Sequence, residues 1–147
     1  MSIIELVFTT KKEMIAKMEA DACVYEGFVP GRNGYNFPSA KNSYTIAYVK
    51  GDVLTKTHEK RHAIFFFDKE YREEVQKLWD SLGAKNQSII EKFLEKCGYD
   101  RKVFLDEFQA YATTEKNPDN FFGIKGQILK NFRHLLGTNY KLGCINF

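Results

Sequence analysis

The residues best suited to chemistry in this chain are two histidines and a glutamate in the stretch His58-Glu59-Lys60-Arg61-His62. On a helix, side chains four residues apart lie one above the other, so both imidazoles can bind the same metal ion. The glutamate between them then lies about 100° around the helix, towards a water on that metal. This H-E-x-x-H pattern predicts a zinc site with Glu59 beside it.

A zinc site of this kind needs a third protein ligand and leaves a fourth position open. Glu107 lies on a helix predicted over residues 100–114, in the segment DEFQAYA. It shares one helical face with Ala110 and Tyr111, by the i, i+3, i+4 rule. A small residue at i+3 lets such a helix pack close to the metal. Glu107 is therefore the favoured third ligand.

Two other residues stay open as ligands. Asp68 follows His62 by six residues, the ligand spacing of the metzincin pattern, but Phe65 stands where that pattern needs a glycine. The favoured role for Asp68 is therefore a helix N-cap. His134 is the one histidine outside the motif, and it could bind the metal or donate to the reacting carbonyl oxygen. A lone histidine on a helix is more often a surface group.

The N-terminal third carries the strand signals. Apolar and β-branched residues predict strands over 2–9 and 43–49, followed by a turn at 50–52. Thr10 and Glu13 form a capping box that predicts a helix over 11–22. Residues 25–43 hold five glycine or proline residues, which predicts a loop or an irregular hairpin.

Helical periodicity dominates the rest of the chain. Five helices are predicted, over residues 55–67, 69–82, 88–97, 100–114 and 120–136. Asp68 would cap the second of them. Strands that come first and helices that follow indicate an α+β fold, and 147 residues suit a single domain over residues 1–147.

Composition excludes several classes of protein. The net charge is only +3 and no basic stripe stands out, which argues against a nucleic-acid binder. No apolar run approaches the roughly 18 residues of a membrane span, and the N-terminus lacks the features of a signal peptide. Three widely spaced cysteines, Cys23, Cys97 and Cys144, make a disulfide framework improbable. We therefore expect a cytoplasmic protein with no membrane partner.

The C-terminus ends in Cys144-Ile145-Asn146-Phe147, which has the form of a prenylation signal. Asn146 is not aliphatic, which argues against that modification. The sequence does not predict an oligomeric state.

The segments HEKRH and DEFQAYA resemble those of the gluzincin metallopeptidases, and the chain is similar in length to the small single-domain minigluzincins. The resemblance covers roughly residues 43–114. It implies a compact zincin-like domain in which His58, His62 and Glu107 hold one zinc ion. The chain departs from the pattern at Tyr111, where many gluzincins carry an aspartate that orients a zinc-bound histidine. Either Asp106 or another group supplies that contact, or the histidine is less well supported.

The resemblance also implies a reaction, hydrolysis of peptide bonds in a peptide or protein substrate. A zinc-activated water would attack the carbonyl, with Glu59 as general base and proton donor to the leaving amine. Tyr111 or His134 would give the oxyanion a second donor. In zincins the strand before the active helix presents an edge to the substrate, which assigns strand 43–49 that role. The alternative is a catalytically inactive zincin-fold binding or interaction domain; the intact Glu59 favours the enzyme.

Overall fold

The fold combines a small N-terminal sheet with a set of helices, in a computed structural model that describes residues 1–20, 32–40 and 42–132. The sheet part contains β1 (Ser2–Phe8), α1 (Lys11–Ala20), β2 (Gly34–Ala40) and β3 (Ser43–Val49). The helical part contains α2 (Val53–Phe67), α3 (Lys69–Ser81), α4 (Gly83–Lys96), a 3-10 turn (Arg101–Val103), α5 (Phe104–Thr114) and α6 (Pro118–Phe122). The predicted α+β class, with strands first, is confirmed.

The three strands are arranged in the order β1-β3-β2. β3 is central: it pairs in parallel with β1 and antiparallel with β2. The prediction that strand 43–49 offers a free edge is therefore wrong, because both of its edges are already paired. Its pairing with β1 is non-local, and residue periodicity does not encode strand order.

β2 was not predicted as a strand. It forms an irregular hairpin with β3, with a register shift between Pro38 and Ala40. Glycine and proline are depleted in strands, and β2 contains both. Gly34–Ala40 was therefore assigned to the segment predicted as a loop or irregular hairpin. β2 is an edge strand of this sheet. Proline is tolerated there because its missing N–H removes no hydrogen bond between central strands.

The capping box of α1 forms as predicted. The Glu13 backbone N–H donates to Thr10 Oγ1 at 3.2 Å, and the Thr10 N–H donates to Glu13 Oε2 at 3.2 Å. This helix buries Met14 and Met18 against Tyr35 and Ala47 of the sheet. It ends at Ala20, and residues 21–22 of the predicted helix lie outside the described residues.

The motif helix α2 lies between the sheet and α5. It begins at Val53, two residues before the predicted start, because the Asp52 carboxylate accepts a hydrogen bond from the Thr55 N–H at 2.9 Å. Ala63 packs on the sheet with Tyr44, and Ile64 joins the core of the helical part. Burial on both sides fixes the rotation of the helix, and so the direction of its histidines.

Further helix boundaries differ from prediction. The helix predicted over 100–114 begins as the 3-10 turn Arg101–Val103, and α5 itself begins at Phe104. α4 begins at Gly83 and not at the predicted Ser88. The predicted helix 120–136 is broken: α6 ends at Gly123, whose φ of 77° favours glycine. The Asp119 carboxylate then accepts from Leu129 N–H at 3.0 Å and Lys130 N–H at 3.1 Å, which caps a new helix from 128.

Glu5 ties β1 to the motif helix. Its carboxylate lies 2.8 Å from Lys56 Nζ and 3.0 Å from Lys60 Nζ, and it accepts a hydrogen bond from the Tyr48 hydroxyl. Burial raises the pKa of Glu5, but the hydrogen bonds from Lys56, Tyr48 and Lys60 outweigh it and lower the pKa to about 2.

We expect Glu5→Gln to lower the free energy of unfolding by about 0.5 kcal/mol at neutral pH, a value that allows for solvent screening. A lowered folded-state pKa stabilises the protein above pH 4.5, and this contribution is lost as pH falls to about 2. Urea unfolding should therefore separate the variant from the parent at pH 7 and not at pH 2. Glu73→Gln, in an exposed pair with Lys69, is the control with no expected effect. An equal difference in unfolding free energy between variant and parent at both pH values would contradict a stabilising role of the ionised Glu5 carboxylate.

Candidate metal centre

The packing of α2 against α5 brings the three predicted ligands together. One ligand atom from each of His58, His62 and Glu107 lies within 4.8 Å of the other two. Glu107 Oε2 is 3.8 Å from His58 Nε2, and Glu107 Oε1 is 3.8 Å from His62 Nε2. These separations are too long for hydrogen bonds. They are close to the roughly 3.4 Å between two ligand atoms that share a tetrahedral zinc at about 2.1 Å.

The surroundings of Glu107 fit a cation. The side chain is buried, and its Oε2 accepts no hydrogen bond from the described residues. Burial raises the pKa of Glu107 to about 7, although His62 and a hydrogen bond from Tyr99 act to lower it. A buried carboxylate oxygen without a donor is costly, and a metal ion would compensate that cost.

His58 is held in the tautomer that a metal requires. Its Nδ1 lies 3.3 Å from Thr114 Oγ1, and that hydroxyl donates to the Ala110 carbonyl at 2.7 Å. The hydroxyl therefore accepts the Nδ1 proton, which leaves the Nε2 lone pair on the side of Glu107. Burial and the nearby His62 lower the pKa of His58 to about 4, so the ring is neutral at pH 7.

Asp106, the residue just before Glu107, lies beside His62. Its Oδ1 is 2.8 Å from His62 Nδ1, a close polar contact, while His62 Nε2 is on the side of Glu107. A carboxylate in this position fixes the ring of a metal-bound histidine. Asp106, which the sequence analysis named for this contact, is therefore near enough to make it.

Two buried side chains extend the hydrogen-bond network from Asp106 away from His62. Gln109 Nε2 donates to Asp106 Oδ1 at 2.9 Å, and the Tyr71 hydroxyl donates to Gln109 Oε1 at 2.7 Å. Both of these outer residues are fully buried. The sequence analysis missed them, although Gln109 stands three residues after Asp106 and so on the same helical face.

We expect Gln109→Leu to weaken zinc binding about tenfold, because Asp106 loses a donor that fixes its carboxylate. Competition with a chromophoric zinc chelator measures the affinity. Gln76→Leu is the matched control: Gln76 is exposed on α3 and donates to Asp80 at 2.8 Å, away from the metal centre. Equal affinities for both variants would show that the chain behind Asp106 has no part in metal binding.

Glu59 is buried between the motif helix and β2. Its Oε2 accepts a hydrogen bond from Asn36 Nδ2 at 2.7 Å, and both side chains are at most 5% exposed. A Cβ at position 34 would lie 2.4 Å from Glu59 Oε1 and 2.8 Å from the Ala47 carbonyl oxygen. Only glycine therefore lets β2 approach this carboxylate so closely. β2, rather than β3, is the strand at the predicted general base.

Tyr111 also lies at the centre. Its ring centroid is 4.5 Å from that of His58, and its hydroxyl is 2.8 Å from the Tyr99 hydroxyl. Burial and the charge of Glu107 raise the pKa of Tyr111 above its ordinary value, so the hydroxyl keeps its proton at neutral pH. Its role as an oxyanion donor stays a prediction. Tyr99 was missed by the sequence analysis.

Asp68 is not part of this cluster. It caps α3 as predicted: its Oδ1 accepts from the Tyr71 N–H at 3.0 Å. Among the described residues, the group of side chains close enough to hold a metal ion consists of His58, His62 and Glu107. His134 and the Cys144–Phe147 segment lie outside the described residues.

The structure also bears on the membrane prediction. Among the described residues, none of the helices is both long and apolar enough to span a membrane.

Comparison with known proteins adds no relative: no family model, no curated protein and no solved structure matches this chain. The gluzincin resemblance therefore stays a prediction that rests on the HEKRH and DEFQAYA segments.

Proposed function

We propose that this chain is a zinc-dependent peptidase of the gluzincin type. The observation that carries the proposal is the convergence of His58, His62 and Glu107 at one point. Each histidine has a polar side chain close to Nδ1, and its Nε2 is the nitrogen on the side of the glutamate. A buried site with two imidazoles and one carboxylate suits zinc with an open fourth position.

Zinc held there would lower the pKa of a bound water towards neutrality and polarise a substrate carbonyl. Thr114 and Asp106 keep the imidazoles in their binding tautomers. A hydrogen bond from Tyr99 and the position on α5 hold the Glu107 side chain beside the two imidazoles. The three side chains therefore need no rearrangement at each turnover.

Glu59 is the proposed general base. Asn36 donates a hydrogen bond to Oε2 of its carboxylate, and the carboxylate so held accepts the proton of the attacking water. The same proton then passes to the nitrogen of the leaving amine as the C–N bond breaks. The buried site keeps bulk water away from this transfer, and the intact carboxylate favours an enzyme over an inactive binding domain.

An extended peptide is the proposed substrate. Within the described residues β2 pairs with β3 along one side only, and its Gly34–Asn36 segment contacts Glu59. A peptide that adds to the outer side of β2 would bind by backbone hydrogen bonds, with a loose preference for side chains. Tyr111 is the proposed donor to the oxyanion from α5.

The test is zinc content and peptide hydrolysis of the purified, untagged protein. We expect one zinc per chain and cleavage of quenched fluorescent peptides, lost on treatment with 1,10-phenanthroline and regained on adding zinc. A zinc-loaded protein that cleaves no member of a broad peptide library would favour the inactive binding domain. A protein that takes up no zinc would overturn the metal centre itself.

A further inference from the structure

We propose that Asn36, itself held by Tyr44, is the positioning residue for the general base Glu59. The inference deepens the proposed function and rests on it. Neither residue belongs to the motif segments, and sequence analysis selected neither.

The geometry fixes which atom of Asn36 faces which partner. An ionised carboxylate only accepts hydrogen bonds, so the Asn36 atom 2.7 Å from Glu59 Oε2 is the donor Nδ2. The other amide atom is therefore Oδ1, and it accepts the hydrogen bond from the Tyr44 hydroxyl. Asn36 and Tyr44 are both at most 2% exposed, so water does not compete for these bonds.

The three residues come from three different elements. Tyr44 lies on β3, Asn36 on β2 and Glu59 on α2. The chain Tyr44–Asn36–Glu59 therefore ties the motif helix to the edge strand at the reacting carboxylate. Gly34 supplies the space on the other side, because a Cβ there would lie 2.4 Å from Glu59 Oε1.

This arrangement suits a base that must take up and release a proton. A glutamate side chain has several rotamers, and a base works only within hydrogen-bond reach of the proton that it abstracts. The hydrogen bond from Asn36 holds one carboxylate oxygen in place and so limits these rotamers.

The direct test compares Asn36→Leu and Tyr44→Phe with Tyr48→Phe. Tyr48 is the matched control, since it lies on the same face of β3 and donates its hydroxyl to Glu5. We expect Asn36→Leu to lower kcat about 30-fold and Tyr44→Phe about fivefold, with KM and zinc content unchanged. Tyr48→Phe should keep kcat within twofold. An unchanged kcat in both test variants would overturn the proposal, as would equal losses in all three.

A second measurement needs no activity and separates this proposal from the proposed function. Urea unfolding of the metal-free protein is followed for Asn36→Leu, Glu59→Met and the double variant. If the two residues interact, the destabilisation in the double variant is smaller than the sum of the destabilisations in the two single variants. We expect this difference to correspond to about a fivefold change in the unfolding equilibrium constant. Additive effects would overturn the pairing. Non-additive effects in a protein that shows no turnover would support the Asn36–Glu59 pairing and would contradict only the proposed peptidase activity.

Discussion

Glu59→Gln is expected to retain one zinc per chain and to lose peptide hydrolysis by about 10³-fold in kcat. Glutamine has nearly the same shape, and its amide oxygen still accepts the hydrogen bond from Asn36, so the helix and its histidines stay in place. It cannot take a proton from water at neutral pH. The expected loss is therefore in the chemical step, with KM little changed.

Steady-state kinetics on a quenched fluorescent peptide, with zinc measured on the same samples, gives both quantities. Glu74→Gln is the control for the substitution itself: Glu74 is exposed on α3 and pairs with Lys77. Turnover that survives Glu59→Gln in the zinc-loaded protein would mean that another group is the base. Loss of zinc in this variant would place Glu59 among the groups that hold the metal.

Glu107→Gln is expected to weaken zinc binding by more than about 100-fold, beyond the range typical of contacts that only orient a ligand. The substitution keeps the volume of a buried side chain and removes the carboxylate that lies 3.8 Å from each histidine Nε2. Because a metal that binds only the folded state raises its stability, zinc should raise the Tm of the parent and leave this variant unchanged.

Asp68→Ala is the comparison that distinguishes Glu107 from the other carboxylate considered as a ligand. Its side chain accepts from the Tyr71 N–H, so we expect this variant to lose about 1 kcal/mol of stability and to keep its zinc. Calorimetric zinc titration of both variants decides the matter. Zinc binding that survives Glu107→Gln and fails in Asp68→Ala would reverse the ligand assignment.

The sequence predicted the features that depend on near neighbours. Two histidines four residues apart share a face on any α-helix, so their pairing follows once the stretch is helical. The Thr10–Glu13 box and the Asp68 cap are likewise complete within four residues. Glu107 was selected for its helical face and its small neighbour at i+3, and the structure places it opposite both histidines.

The sequence did not predict features that depend on distant partners. β2 was missed because Gly34 and Pro38 oppose strand formation locally, whereas close approach to Glu59 makes glycine necessary. The break after Gly123 was missed because the side chain that caps the next helix, Asp119, lies on the preceding helix α6 and not directly before the residues that it caps.

The sequence by itself therefore determined the α+β class and the motif helix, since helical spacing and capping act within a few residues. Only the tertiary structure decided which groups surround the three residues that it predicted as ligands. Asp106 meets His62, Asn36 meets Glu59, and Thr114 meets His58 across 44, 23 and 56 residues. Such contacts depend on how α2, α5 and β2 pack together. Packing is set by burial over the whole core, which no local pattern contains.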